Sequence, residues 1–180
     1  MRIISGTHKG RRLIAPKKLP VRPTTDRAKE ALFNILNNRF EWENISSLDL
    51  FAGTGNISFE LASRGVTRLT AVDQNKHCVY FIASTAEKLE FPISVIKNSV
   101  EKFLEQASDQ TYDFIFADPP YAFPQSKLMA LADEILDKKR LTKEGSLIIE
   151  HDKHISLASH PCLSEERTYG SSRFSFFELP

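Results

Sequence analysis

The sequence contains only two cysteines, Cys78 and Cys162, and neither lies near a cluster of histidines or cysteines. A disulfide scaffold and a zinc site are therefore excluded as organising features, and we expect two free thiols in a reducing cytosol. No segment approaches the roughly 20 apolar residues of a membrane span. The N-terminus has neither the apolar stretch nor the cleavage site of a signal peptide. We expect a cytoplasmic protein that needs neither membrane nor metal.

Beyond about residue 46, short β-rich runs alternate with segments of helical length. The runs occupy residues 48–51, 69–72, 93–96, 114–116 and 147–149, and the helical segments are 56–65, 75–89, 99–107 and 126–139. Continuously apolar strands that alternate with helices predict an α/β fold, in which a parallel sheet is covered on both faces. A hairpin pattern at 167–177 predicts antiparallel strands at one edge of that sheet.

The first 40 residues are strongly basic, although the net charge of the chain is only +1. They carry ten Lys and Arg against two acids, so the remaining 140 residues are net acidic. This asymmetry favours a polyanionic partner for a basic N-terminal arm at residues 1–22, ahead of one domain at 23–180. Apolar runs at 3–4 and 13–14 predict a small hairpin in the arm. Helical spacing after Thr24 or Thr25, either of which could be the N-cap, predicts a helix.

A glycine-containing loop, residues 49–55, follows the first predicted strand of the domain. Gly53 and Gly55 allow tight curvature and the close approach of a ligand to the backbone. Asp73 ends the second strand, where a carboxylate can accept hydrogen bonds from both hydroxyls of a ribose. Because ligands of open parallel sheets bind at the carboxyl ends of strands, we expect these groups to face one nucleoside site.

The details of this loop favour a cationic nucleoside. The dinucleotide-binding pattern requires a third glycine where Ser58 stands, and the helix beginning at Asn56 lacks the Lys-Ser/Thr pair of a P-loop. Asp49 would repel phosphate groups but would suit a positive charge. S-adenosylmethionine carries a sulfonium, an ammonium and a ribose but no phosphate, so we expect it to be the cofactor.

A second loop, Asp118-Pro119-Pro120-Tyr121, follows the strand at 114–116. The two prolines remove two N–H donors, so the loop presents acceptors, namely the Asp118 carboxylate and a carbonyl such as that of Pro119. Such acceptors can hold both hydrogens of an exocyclic amine and direct its lone pair towards a methyl donor. The ring of Tyr121 offers a face on which a planar base can stack.

Together, residues 49–55 and 118–121 resemble the Rossmann-like class I S-adenosylmethionine-dependent methyltransferases that modify amino groups. Further motifs at 2–6, 22–27, 30–34 and 169–171 resemble the RsmD family, the bacterial 16S ribosomal RNA (guanine-N2)-methyltransferases. The resemblance implies a mostly parallel seven-stranded sheet with a C-terminal antiparallel hairpin. It also implies S-adenosylmethionine as the cofactor, 16S rRNA or a small-subunit assembly particle as the partner, and a monomer.

The predicted site has three groups of residues. The catalytic group is Asp118, Pro119, Pro120 and Tyr121. The cofactor-binding group is Asp49, Phe51, Ala52, Gly53, Thr54, Gly55, Asp73, Gln74 and Ser99. The RNA-binding group is Arg2, Lys9, Arg11, Arg12, Lys17, Lys18, Arg22, Thr24 and Arg27.

The sequence departs from the family pattern after the third strand. The family usually has an acid there, near the adenine amino group, whereas this chain has Asn98-Ser99-Val100. Ser99, or the next acid, Glu101, would have to serve instead. Asp73 stands where relatives often have Glu, and this exchange keeps the carboxylate.

Three other functions are compatible with parts of the sequence. The acceptor loop alone does not distinguish guanine N2 from adenine N6 in DNA or another RNA amine, although 180 residues leave no room for a separate DNA-recognition domain. A non-catalytic ribosome-assembly factor with this fold would not need all of Gly53, Gly55, Asp73, Asp118 and Tyr121. A nicotinamide-dependent oxidoreductase is disfavoured by the missing third glycine.

Overall fold

The computed structural model describes residues 1–16, 19, 25–106 and 108–180. In chain order its strands are β1 (Ser46–Leu50), β2 (Arg68–Asp73), β3 (Ile93–Lys97), β4 (Tyr112–Ala117), β5 (Leu141–Asp152), β6 (Leu163–Tyr169) and β7 (Ser172–Phe177). Its α-helices are α1 (Asp26–Leu36), α2 (Asn56–Ser63), α3 (Lys76–Lys88), α4 (Val100–Glu105) and α5 (Gln125–Asp137). A single 3-10 turn spans Trp42–Asn44.

The seven strands form one sheet in the order β3-β2-β1-β4-β5-β7-β6. The first five strands are parallel, and β7 pairs antiparallel with both β5 and β6. The predicted fold class is therefore confirmed. Because β1 lies between β2 and β4, the strand order reverses there, which is where ligands bind in open α/β sheets.

Successive side chains of the central strands point to opposite faces of the sheet, so the hydrophobic core has one part on each face. Ile115 and Ala117 of β4 pack with residues of α4 and α5, whereas Phe114 and Phe116 pack with residues of α1 and α2. All four side chains are buried. Burial on both faces explains why these strands are continuously apolar in sequence.

The strand β5 is longer than the predicted run at 147–149. Its first part is partly exposed, and a bulge in its pairing with β4 separates the partners of Tyr112 and Phe114. The polar residues and the glycine in this part hide the apolar pattern that identifies a buried strand.

Of the two predicted N-cap candidates, Thr25 caps α1, and its hydroxyl accepts the Ala28 N–H at 3.2 Å. The RNA-binding candidates Lys17, Lys18, Arg22 and Thr24 lie outside the described residues. No helix in the described part of the chain has the length and apolar character needed to cross a membrane. Cys78 and Cys162 are free thiols, as predicted.

The start of the basic arm is docked on the domain. Arg2 and Arg12 form an isolated antiparallel bridge, so the predicted hairpin is present but short. Its Thr7 N–H donates to the Ser63 carbonyl at 2.7 Å, and a Cβ at Gly6 would lie only 1.7 Å from that carbonyl oxygen. The hairpin therefore rests on the last turn of α2, at a contact that only glycine permits.

Candidate active site

A cavity of about 660 Å³ opens at the carboxyl ends of β1, β2 and β4. Eleven of the predicted cofactor-binding and catalytic residues line it, which brings the glycine loop and the proline loop to one site. They are Asp49, Phe51, Ala52, Gly53, Thr54, Asp73, Gln74, Asp118, Pro119, Pro120 and Tyr121. Gly55 and Ser99 are not among the lining residues.

The glycine loop turns sharply between β1 and α2. Gly53 and Gly55 have φ values of +55° and +74°, in the left-handed region that favours glycine. The Gly55 N–H closes the turn by donating to the Ala52 carbonyl at 2.7 Å. A Cβ at Gly55 would lie 3.0 Å from the side chains of Phe59 and Ile82. Gly55 therefore allows the turn and the close packing of the loop against Phe59 and Ile82, whereas Gly53 lines the cavity.

Asp49 is a buried acid that Ser58 holds in place. Its Oδ2 accepts the Ser58 backbone N–H at 3.1 Å and the Ser58 hydroxyl. Burial raises the pKa of Asp49 to about 7, against the lowering effect of the Ser58 hydrogen bonds, and the charge of Asp73 raises it further. In the sequence, Ser58 indicates only that the loop is not a dinucleotide site. Its position in the first turn of the helix, beside the strand-end acid, was the available signal.

Asp73 connects the glycine loop to the entrance of α3. Its Oδ2 accepts the Gly53 N–H at 2.8 Å, and its Oδ1 accepts the Asn75 N–H at 2.7 Å. A carboxylate oxygen has a second lone pair, so both oxygens can also accept hydrogen bonds from a ligand. The carboxylate is thus fixed at the edge of the cavity, with acceptor capacity left on both oxygens.

The proline corner is held by a backbone hydrogen bond at each end, and its aromatic residue remains accessible to solvent. The Asp118 N–H donates to the Leu50 carbonyl at 3.3 Å, and the Phe123 N–H donates to the Pro120 carbonyl at 2.8 Å. Pro119 is buried and Asp118 is half-buried, whereas Tyr121 is 37% exposed. The ring of Tyr121 thus lies in the cavity wall and is accessible to solvent, so it does not pack the corner shut.

Two other carboxylates act on the Asp118 carboxyl at the corner. Burial raises the pKa of Asp118 well above its ordinary value, and the negative charges of Glu150 and Asp49 raise it further. Glu150 lies in β5 next to His151 and is 2% exposed. Glu150 is not among the predicted site residues, because a single acid inside an apolar strand forms no recognisable motif.

The charge of the cavity wall fits a cationic ligand that carries a ribose. The wall includes the acids Asp49, Asp73, Glu101 and Asp118, and the basic side chain of Lys127. Such a wall opposes a pyrophosphate and favours positive charge. These residues therefore fit S-adenosylmethionine better than a dinucleotide.

Ser99 and Glu101 have different environments. The Ser99 hydroxyl caps α4 by accepting the Lys102 N–H at 3.3 Å. Glu101 lies in the first turn of α4 and lines the cavity. Of the two residues considered for the adenine side of the site, Glu101 is the one in the wall, and Ser99 as a cofactor contact stays a prediction.

The described RNA-binding candidates lie on the hairpin and at the start of α1. They are all exposed, namely Arg2, Lys9, Arg11, Arg12 and Arg27. The guanidinium of Arg2 is 3.6 Å from the Asp26 carboxylate. Four of the five lie on the docked hairpin, so its basic groups have a defined position on the domain.

Lys29 is one of the ten basic residues among the first 40, but it lies outside the basic arm and is buried. Its Nζ donates to the Arg2 carbonyl at 2.7 Å and to Asn56 Oδ1 at 2.9 Å, and it lies 3.3 Å from the Glu60 carboxylate. Burial lowers the pKa of Lys29, while the charge and hydrogen bond of Glu60 oppose this change. Because Asn56 lines the cavity, this ion pair connects the hairpin to the site.

A sheet of this order, with the glycine loop after β1, an acid at the end of β2 and the proline corner after β4, defines a class I S-adenosylmethionine-dependent methyltransferase. Residues 1–178 match the family described as Conserved hypothetical protein 95. Ribosomal RNA small subunit methyltransferase D of Haemophilus influenzae is 31% identical over 99% of this chain and 93% of its own length. The chain therefore belongs to this family, and its resemblance to RsmD is confirmed.

Two solved structures share the fold. A hypothetical protein of Thermus thermophilus has 28% identity and a TM-score of 0.86, covering 99% of both chains. The T. thermophilus 16S rRNA N2-guanine methyltransferase RsmC, solved with AdoMet and guanosine, has 18% identity and a TM-score of 0.72. That match covers 90% of this chain and 45% of the RsmC chain.

Proposed function

We propose that this protein transfers a methyl group from S-adenosylmethionine to the exocyclic N2 amine of a guanine in 16S ribosomal RNA. The observation that carries the proposal is that Gly53, Asp73, Asp118 and Tyr121 line one cavity. The name of the H. influenzae relative supports the small-subunit rRNA as the substrate. We further propose that the enzyme acts as a monomer in the cytoplasm, on an assembly particle.

The cofactor, when bound, supplies an electrophilic methyl carbon on a positively charged sulfur. Asp73, held by two backbone N–H groups, would accept the ribose hydroxyls. The negative charge of Asp49 would stabilise the positive charge of the cofactor in a site with little water. Gly53 allows the backbone to approach the ligand without a Cβ in between.

Asp118 and the Pro119 carbonyl would bind the amine by accepting its two hydrogens. This arrangement localises the nitrogen lone pair and places it in line with the methyl carbon, so positioning supplies most of the acceleration. The nitrogen becomes positively charged during the transfer, and the Asp118 carboxylate stabilises that charge. Asp118 then takes the acidic proton from the methylated nitrogen.

The substrate base must reach the cavity from outside a stacked helix. Enzymes that modify a base either flip it out or choose one that is already unpaired, and RNA recognition favours exposed loops. Tyr121 offers an exposed ring on which the base can stack. The exposed charges of Lys9, Arg11 and Arg12 would contact the surrounding phosphates.

The test is transfer of a radiolabelled methyl group to small subunits from cells that lack this methyltransferase, followed by nucleoside analysis. Deproteinised 16S rRNA serves as the second substrate. We expect label in N2-methylguanosine, with particles better than free RNA. Label in methyladenosine would contradict the proposed base, and no labelling of either substrate would contradict the proposed substrate.

A further inference from the structure

The proline loop is tied to the distant hairpin of β6 and β7. The Tyr121 hydroxyl and the Ser172 hydroxyl are 2.7 Å apart, although the residues are 51 positions apart in sequence. Tyr121 lines the cavity, whereas Ser172 begins β7. A hydrogen bond therefore joins Tyr121 of the active site to β7, a strand that lies outside both the glycine loop and the proline loop.

Ser172 is a fixed point because the sheet holds it on both sides. Its backbone pairs with Asp152 of β5 and with Tyr169 of β6. The turn is closed by Gly170, at φ +64°, and its Ser171 carbonyl accepts the Lys153 N–H at 3.2 Å. The Ser172 hydroxyl thus extends from paired backbone.

Tyr121 has no such support from secondary structure. It lies in a turn, four residues after the end of β4 at Ala117 and four before the start of α5 at Gln125. A backbone outside helices and strands does not by itself fix the side-chain rotamer. A hydrogen bond at the far end of the ring restricts the direction in which the ring extends.

We propose that Ser172 is a positioning residue for methyl transfer, which acts by holding the Tyr121 ring in the orientation on which the target base stacks. This inference rests on the proposed function. Tyr121, Asp118 and Pro119 line the same cavity, so a base stacked on a correctly oriented ring would have its amine beside the two proposed acceptors. Without the hydrogen bond, the ring would still be present, but fewer bound bases would have their amine in line.

The experiment compares Ser172→Ala, Tyr121→Phe and the double variant, each of which removes one or both hydroxyls but keeps the ring. Ser172→Thr restores a hydroxyl at the same position. Thr168→Ala is the matched control, because it also removes one hydroxyl from this hairpin. The Thr168 hydroxyl accepts a hydrogen bond from Arg173 at 3.3 Å, and Thr168 does not line the cavity. For each protein we would measure kcat and KM for small subunits, the Kd for S-adenosylmethionine and the midpoint of thermal unfolding.

We expect Ser172→Ala and Tyr121→Phe each to lower kcat by about 5- to 10-fold, the value of one hydrogen bond. The double variant should be no slower than either single variant, and Ser172→Thr should recover most of the loss. The Kd for S-adenosylmethionine should stay within about twofold, and Thr168→Ala should keep the wild-type kcat. These results would separate positioning from loss of stability.

A wild-type kcat for Ser172→Ala would overturn the inference, as would losses that multiply in the double variant. The first result would show that the ring needs no hydroxyl partner, and the second that the two hydroxyls act independently. Failure of the proposed function has a different signature, because then the wild-type enzyme itself would not label guanine in small subunits.

Discussion

Ser58 donates both its backbone N–H and its hydroxyl to the same carboxylate oxygen of Asp49. The serine occupies the position where a dinucleotide-binding loop has its third glycine. A glycine there allows close packing of helix and strand, whereas this serine supplies two donors to a buried acid. Ser58 therefore holds the Asp49 carboxyl, which can become negatively charged, near the end of β1 and beside the proposed position of a cationic ligand.

The Asp49 carboxyl should make the stability of the cofactor-free protein depend on pH. Its pKa is about 7 in the native state, against an ordinary value of 3.8, so the native state retains a proton that the unfolded chain releases. Stability should therefore fall as the pH rises from about 4 to about 7, by an amount on the order of 4 kcal/mol. Urea unfolding at several pH values, on wild type and Asp49→Asn, measures the difference.

Asp49→Asn removes the titrating proton but keeps an oxygen that can accept from Ser58. Its stability should fall less steeply between pH 4 and 7 than that of the wild type. The affinity of the wild type for S-adenosylmethionine should rise as the pH approaches and passes 7, because the cation favours the charged carboxylate. Parallel stability curves for the two proteins would show that Asp49 ionises normally.

The buried ion pair of Lys29 and Glu60 should be much more important for stability than an exposed pair. Glu60 is fully buried and also accepts the N–H groups of Ile4 and Ser5, at 2.7 and 3.0 Å. Glu60 also pairs with the buried guanidinium of Arg64 at 2.8 Å, so Glu60→Gln would leave the charges of both Lys29 and Arg64 without their counter-charge. We expect a loss of about 3–5 kcal/mol in the free energy of unfolding, measured by urea denaturation.

Arg39→Ala is the control for Glu60→Gln. Arg39 lies 2.6 Å from Glu165 and 2.7 Å from Glu178, but all three side chains are partly exposed. Surface pairs contribute about 1 kcal/mol or less. Similar losses for both variants would contradict the difference that we assign to burial.

The basic hairpin should determine the salt dependence of RNA binding. Replacing Lys9, Arg11 and Arg12 by alanine removes three exposed charges. If each contacts one phosphate of a single strand, the slope of log K against log salt should become shallower by about 2. Fluorescence anisotropy with an RNA fragment over a range of salt concentrations gives this slope.

Point substitutions are preferable to deleting the arm, because residues 1–13 also complete the network around Glu60. Lys143→Ala is the matched control, since Lys143 is exposed near the start of β5, at the opposite end of that strand from the cavity. It should leave the slope unchanged. An unchanged slope for the triple variant would mean that the hairpin does not bind phosphates.

The parts of the fold that could be predicted are those that depend on local sequence patterns. Apolar runs predicted the central strands, and Gly53, Pro119 and Pro120 predicted the two loops, because these residues restrict the backbone wherever they occur. The strand order could then be inferred only through the resemblance to a family. The cavity follows from that order, since it brings the ends of β1, β2 and β4 together.

The parts that could not be predicted depend on tertiary pairing. Lys29 contributes to a basic count in sequence, yet the fold buries it against Glu60, 31 positions away along the chain. Glu150 is adjacent to Asp118 only because β5 lies beside β4 in the sheet. No local sequence pattern identifies such partners, because each pairing depends on how segments that are distant in sequence pack together.

Single-turnover methyl transfer by Asp118→Ala, with the Kd for S-adenosylmethionine measured on the same protein, separates the proposed role of the proline corner from cofactor binding. The corner after β4 is proposed to hold the amine and receive its proton, while other residues bind the cofactor. We therefore expect a rate lower by about 10²- to 10⁴-fold, with a cofactor Kd within about twofold of wild type. A rate close to wild type, with saturating cofactor and small subunits, would contradict this role of Asp118.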